Sequence, residues 1–191
     1  MNPTEFKKLW MINDSVRWVE FPIDQVEKSN LNEKTKEFLK IGFPEDAAPF
    51  LGFGLRSYDW EFNTIQNYYE YDDLDEKAKD YWIFGSDNSG NPICIDSSDN
   101  DKLVLLDHEQ GFEFMENMNK NISELASSLL LFRDFIEKIN NEFGEDGFFE
   151  SMFTEKHLTE LENEFKTLNP NYYLESSFWD TEIENLRAEI E

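Results

Sequence analysis

A chain of 191 residues, 39% hydrophobic and 16% aromatic, is long enough to bury a substantial core, and its 18 Phe and 5 Trp exclude a solvated acidic tail. Its 42 Asp and Glu against 17 Lys and Arg give a formal charge of -25 with no basic cluster, which argues against nucleic acid or an anionic membrane as a direct partner. One cysteine, Cys94, allows neither an intramolecular disulfide nor a four-cysteine zinc site. No apolar window approaches a ~20-residue span and Met1 to Glu5 lacks a basic, then apolar leader, so a soluble cytoplasmic protein in a reducing compartment is expected.

Asn2-Pro3-Thr4-Glu5 predicts a helix entry, with Asn2 as cap, Pro3 preset for the first turn and Glu5 completing the capping arrangement; Phe6, Leu9 and Trp10 then share a face. A second helix is predicted over Leu31 to Ile41, entered at Asn30, carrying Phe38 and Leu39 inward and stopped by Gly42 and Pro44. Pro49 to Tyr71 is aromatic and strand-like, and continues through an acidic turn into a meander. There Tyr81 to Phe84, Ile93 to Ile95 and Leu103 to Leu106 are separated by the turn-forming runs Asp87 to Pro92 and Ser97 to Asp101.

From Asn121 the period changes. Ile122, Leu125, Ala126, Leu129, Phe132, Ile136, Ile139 and Phe143 recur at spacings of three and four, predicting a long helix over one sheet face that ends at Gly144 and Gly147. Two more amphipathic helices follow, one with Leu158, Leu161, Phe165 and Leu168, the other with Trp179, Ile183, Leu186 and Ile190, parted by Asn169-Pro170. The expectation is an α+β single domain: a twisted, mainly antiparallel sheet covered by helices, with residues 1–30 as N-terminal helix and leader, 31–143 as core and 144–191 as a helical extension.

Little in the residues points to chemistry. Gly52-Phe53-Gly54 lacks the third glycine and the helix entry of a dinucleotide site, and reads as close packing or a bulge. Cys94 lies between two isoleucines, so a thiol and base pair with His108 gives way to inert packing. With His157 the only other histidine, a histidine metal site cannot be assembled, and the Asp96, Asp99, Asp101 spacing fails the calcium-loop pattern. Phe148-Phe149-Glu150-Ser151-Met152-Phe153 reads as packing beneath the C-terminal helices, with a partner-binding wedge as the alternative.

Several of these segments together resemble the SUKH superfamily of Smi and Knr-like proteins. Phe38-Leu39-Lys40-Ile41-Gly42-Phe43-Pro44 is similar to its helix ending in Leu-x-x-x-Gly-Leu-Pro, with Phe43 in the Leu position, followed by an aromatic strand around Phe50-Leu51-Gly52-Phe53. Tyr81 to Asp87 with Gly90, Pro92, Ile93 and Ile95 looks like its central strand and glycine turn, Leu103 to His108 like the next strand, and Asn121 to Leu129 like the helix after it. The passage from Asn169-Pro170 to Trp179 looks like the C-terminal extension of the fourth SUKH subgroup. The likeness runs from Leu31 to Ile190 in the expected order.

The resemblance implies an α+β fold and binding rather than catalysis: an immunity protein, not an enzyme, that blocks a cognate bacterial toxin, often a nuclease or deaminase, by occlusion. From the residues, no cofactor and no metal are expected. The alternative the resemblance offers is a regulatory scaffold of the Smi and Knr type that binds signalling or wall-synthesis proteins. The partner surface expected from the residues is acidic, formed by Tyr71, Asp72, Asp73, Asp75 and Glu76 with Asp96, Asp99 and Asp101 at one sheet edge, and facing a basic toxin. Simple solubility is the competing explanation of the charge, and the free protein is expected to be a monomer.

Overall fold

The computed structural model describes residues 1–12, 16–54, 61–69 and 74–190. Helix α1, Pro3–Trp10, begins as its sequence predicts: Asn2 Oδ1 accepts the Glu5 amide at 2.9 Å. Phe6 and Trp10, four apart and so on one face, are buried, whereas Leu9 is exposed, contrary to expectation. Strand β1, Trp18–Val19, and helix α2, Ile23–Lys28, follow. Helix α3 is Glu33–Ile41, two residues shorter at its start than expected, because Asn32 and not Asn30 caps it, its Oδ1 accepting the Thr35 amide at 3.1 Å. Asn30 is engaged by the sheet instead, accepting the Trp82 indole N–H at 2.8 Å.

The stop at Gly42 is steric as well as conformational. Its φ is +93°, and a Cβ there would lie 2.2 Å from the Val19 carbonyl oxygen, so only glycine lets β2, Phe43–Pro44, pair with β1.

The main sheet has six antiparallel strands in sequence order: β3 Asp46–Ala47, β4 Leu51–Phe53, β5 Tyr81–Ser86, β6 Pro92–Asp96, β7 Lys102–Asp107 and β8 Glu113–Asn119. The expected meander is its centre, with Ile83 opposite Cys94 and Cys94 opposite Val104. Gly85 permits the β4 to β5 join, since a Cβ on it would fall 2.1 Å from the Gly52 carbonyl oxygen.

Two segments depart from expectation. Within the strand-like run from Pro49 to Tyr71, the described residues give β4 and then a short helix, α4, Ile65–Tyr69, in which Tyr68 donates its amide to the Thr64 carbonyl at 2.9 Å. Beyond β4, Phe62 stacks on Trp82 with centroids 5.1 Å apart and Tyr69 packs on Phe112 at 4.5 Å, both from outside the named strands. Strand β8 was not expected at all. Apart from Phe114 its Glu, Asn and Met residues have weak strand preference, and pairing with β7 from Leu103 to Asp107 overrides it.

Strand alternation sorts the core. Phe84, Ile93, Ile95, Leu103 and Leu105 face the large helical layer, while Ile83, Cys94, Val104 and Leu106 face a smaller cluster under α4 and a 3-10 turn, Glu76–Lys79. Helix α5, Ile122–Phe143, has the predicted limits, with Asn121 Oδ1 accepting the Glu124 amide at 3.0 Å and Gly144 following at φ +110°. Helices α6, Glu155–Leu168, α7, Tyr172–Glu175, and α8, Ser177–Glu189, complete the layer. Phe6 and Trp10 of the leader, Phe43 and Leu129 of the core, and Phe165 and Trp179 of the extension belong to one buried cluster.

A buried polar knot fixes the extension. Glu124 is 5% exposed, and its Oε1 accepts from Ser176 Oγ at 2.8 Å, the Asn169 amide at 3.1 Å and the Asn119 amide at 3.3 Å. Lys120 Nζ lies 3.2 Å from its other oxygen. Trp179 in turn donates its indole N–H to Asn119 Oδ1 at 3.0 Å. The Asn169-Pro170 break thus interrupts the helices where a side chain has to turn inward.

Candidate functional site

The acidic surface expected from the sequence lies where the 3-10 turn meets the β6 to β7 turn. Asp75 caps the 3-10 turn, its Oδ1 accepting the Lys77 amide at 2.7 Å, and Ser97 donates its amide to the Asp80 carbonyl at 2.9 Å, joining the two segments. Asp75, Glu76 and Asp99 are exposed there. Tyr71, Asp72 and Asp73 lie outside the described residues.

Asp96 and Asp101 are not surface acids, and this corrects the expected face: each is only 2% exposed. Asp96 Oδ1 accepts from the Ser98 amide at 3.0 Å and the Ser98 hydroxyl at 2.6 Å, while its Oδ2 lies 2.9 Å from Lys77 Nζ. That hydrogen bond is the first cause of a raised Lys77 pKa. Asp101 Oδ2 accepts the Asn32 amide at 2.8 Å, tying the turn to the start of α3. The turn passes through two left-handed residues, Asn100 at φ 55° and Asp101 at φ 60°, a conformation those side chains tolerate. Asp96 satisfies a backbone amide of its own turn and Asp101 one at the start of α3, which draws both carboxylates inward.

Cys94 is fully buried, and desolvation, with a smaller contribution from Asp96, pushes its thiol pKa well up. His108 lies four positions beyond Val104, the strand partner of Cys94, and turns to Asn91, with Nδ1 2.9 Å from Asn91 Oδ1. The two do not meet. Among the described residues no group of three or more His, Cys, Asp or Glu side chains is arranged to hold a metal ion.

At the opposite end of β6 the structure holds a feature that sequence reading did not assemble. A groove of about 930 Å³ opens between the β3 to β4 hairpin, the β5 to β6 turn, the segment after α5, and α8. Phe132, Phe148 and Leu186 form part of its apolar lining, and Phe50 and Phe149 stand at it 76% and 87% exposed. The run Phe148 to Phe153 is therefore divided: Phe153 is buried, Phe148 packs partly against the core, and Phe149 and Met152 are exposed. Asp46, Asp87, Glu182 and Glu189 also line the groove, and among its described lining residues none is a lysine or arginine. Burial, then the nearby Glu116 carboxylate, pushes the Glu182 pKa up to about 7, and burial raises that of Glu116.

The described residues thus form an α+β fold with an apolar groove, turn carboxylates held by internal partners and a buried thiol. The family model described as SUKH-4 immunity protein matches residues 12–185, and the chain belongs to that family. The match takes in every strand and reaches into α8. It begins before Leu31, so β1 and α2, assigned to a leader from sequence, lie within the family's span. No curated protein and no solved structure matches the chain. No helix among the described residues is long and apolar enough to cross a membrane.

Proposed function

We propose that this chain neutralises a cognate protein toxin by binding it and covering its working surface. The observation that carries this reading is the immunity-family match over residues 12–185, which spans the entire sheet and most of its helical cover. Such a toxin, a nuclease or deaminase, would present a basic face, because a surface that holds nucleic acid must neutralise phosphates. A chain of charge -25 is attracted to that face over several ångströms before contact. Asp75, Glu76 and Asp99, with Tyr71, Asp72 and Asp73 nearby in sequence, are proposed as a rim that speeds encounter. The chain acts in the cytoplasm, as a monomer until it meets the toxin, and without catalysis.

The test is co-expression with the toxin-domain product of the adjacent gene. The chain should restore growth of cells making that toxin and should co-purify with it in a stable complex. Growth arrest in the presence of well-expressed chain, with no complex, would overturn the reading.

A further inference from the structure

We propose that the groove between the β3 to β4 hairpin and α8 is the anchor site for a toxin segment that carries a bulky apolar side chain beside lysine or arginine. This rests on the immunity reading above and adds to it the place and the chemistry of the contact.

Two aromatics on separate segments stand at the same groove with most of their surface in water, Phe50 at 76% and Phe149 at 87%. Phe50 does so from a left-handed backbone, φ 57°, which bulky residues rarely adopt. The partly buried Phe148 lines the same groove over the buried Phe132 and Leu186, so an incoming apolar side chain meets Phe50, Phe148 and Phe149 and sheds its water. A volume of about 930 Å³ suits a short segment of chain.

The charges select the occupant. Asp46, Asp87 and Glu189 line the groove, joined by Glu182, which is only partly ionised near neutral pH, with no lysine or arginine among the described lining residues, so a cationic segment is favoured over an acidic one. A guanidinium can also lie over an exposed ring such as that of Phe149. A second copy of this chain is disfavoured on the same ground, because its own groove carries the same sign.

The experiment measures binding of the full chain to the purified, catalytically inactivated toxin domain of the adjacent gene. Phe50→Ala and Phe149→Ala remove side chains that contribute little to the core, and an unchanged Tm checks that the fold is kept. The double variant should bind about 100-fold more weakly, chiefly through faster dissociation. Ile23→Ala, another exposed apolar residue but outside the groove, should bind as the parent does. Glu182→Lys with Glu189→Lys should slow association and flatten its dependence on salt. Parent binding with an unaffected double Phe variant overturns the groove assignment alone. Self-association of the parent that the Phe changes abolish would also overturn it, in favour of a second copy. A parent that does not bind the toxin at all overturns the immunity reading and this assignment together.

Discussion

Asn169 donates its side-chain amide to Glu124 Oε1 at 3.1 Å, joining the residue that ends α6 to the first turn of α5 across a separation of 45 residues. Ser176 and Asn119 donate to the same oxygen, so a single carboxylate oxygen satisfies three buried donors. Removing it leaves Ser176 Oγ without its acceptor and takes one acceptor each from Asn169 and Asn119, which still donate to Glu175 Oε2 and Ser128 Oγ. Glu124→Ala is expected to lower stability by about 3 kcal/mol, read as a lower midpoint in urea denaturation. Glu124→Gln keeps one oxygen but loses the Lys120 ion pair, and should fall between the two. An unchanged midpoint for the alanine variant would mean that the knot is not holding the extension.

The thiol of Cys94 should be inert in the folded protein. It is fully buried and its pKa is pushed up by desolvation, so little thiolate exists near neutral pH. Labelling with a thiol reagent should be at least about 100-fold slower than in denaturant, because it waits on opening of the sheet. Cys94→Ser should keep toxin binding while losing about 1–2 kcal/mol from a buried hydroxyl. Rapid labelling of the native protein would contradict this placement.

Glu182 makes stability depend on pH in a direction opposite to that of a salt-bridged carboxylate. Burial and then Glu116 raise its pKa from 4.5 to about 7. Below about pH 4.5 the group is protonated in both folded and unfolded chains and contributes no slope. Between that value and about pH 7 the unfolded chain releases the proton while the folded chain retains it, so stability falls as pH rises and levels off above 7. With allowance for solvent screening of a half-buried group, the loss is about 1 kcal/mol. Glu182→Gln should therefore stabilise the protein at pH 8 and have little effect at pH 4.5, measured by thermal melts at both.

Steering by the acidic end gives a kinetic prediction. Asp75→Lys, Glu76→Lys and Asp99→Lys together should lower the association rate with the toxin domain by about tenfold at low salt, with the dissociation rate little changed. The difference from the parent should shrink at physiological salt, where screening acts over about 8 Å. Equal association rates at low salt would return these charges to solubility alone.

The contrast between the two ends of β6 shows what sequence reading can reach. The cap at Asn2 was legible because a capping side chain and its target amide are three residues apart. The limits of α5 were legible because a sustained apolar period ends at glycine. Asn30 and Asn32 offer similar capping chemistry, and the choice between them was made by Trp82, whose indole takes Asn30. Likewise β8 carries no strong signal of its own and exists because β7 offers it a ladder.

The candidate surfaces divide in the same way. The sequence by itself determined the charge, the turns, the strand centre and the long helix, because each depends on residue type or on neighbours within a few positions. Only the tertiary structure decided that Asp96 and Asp101 point inward, since their partners Lys77 and Asn32 come from other segments. It alone brought Phe50, Phe149 and Glu182, from three distant parts of the chain, to one groove. Burial and long-range pairing are properties of where segments meet, and no local period or spacing encodes them.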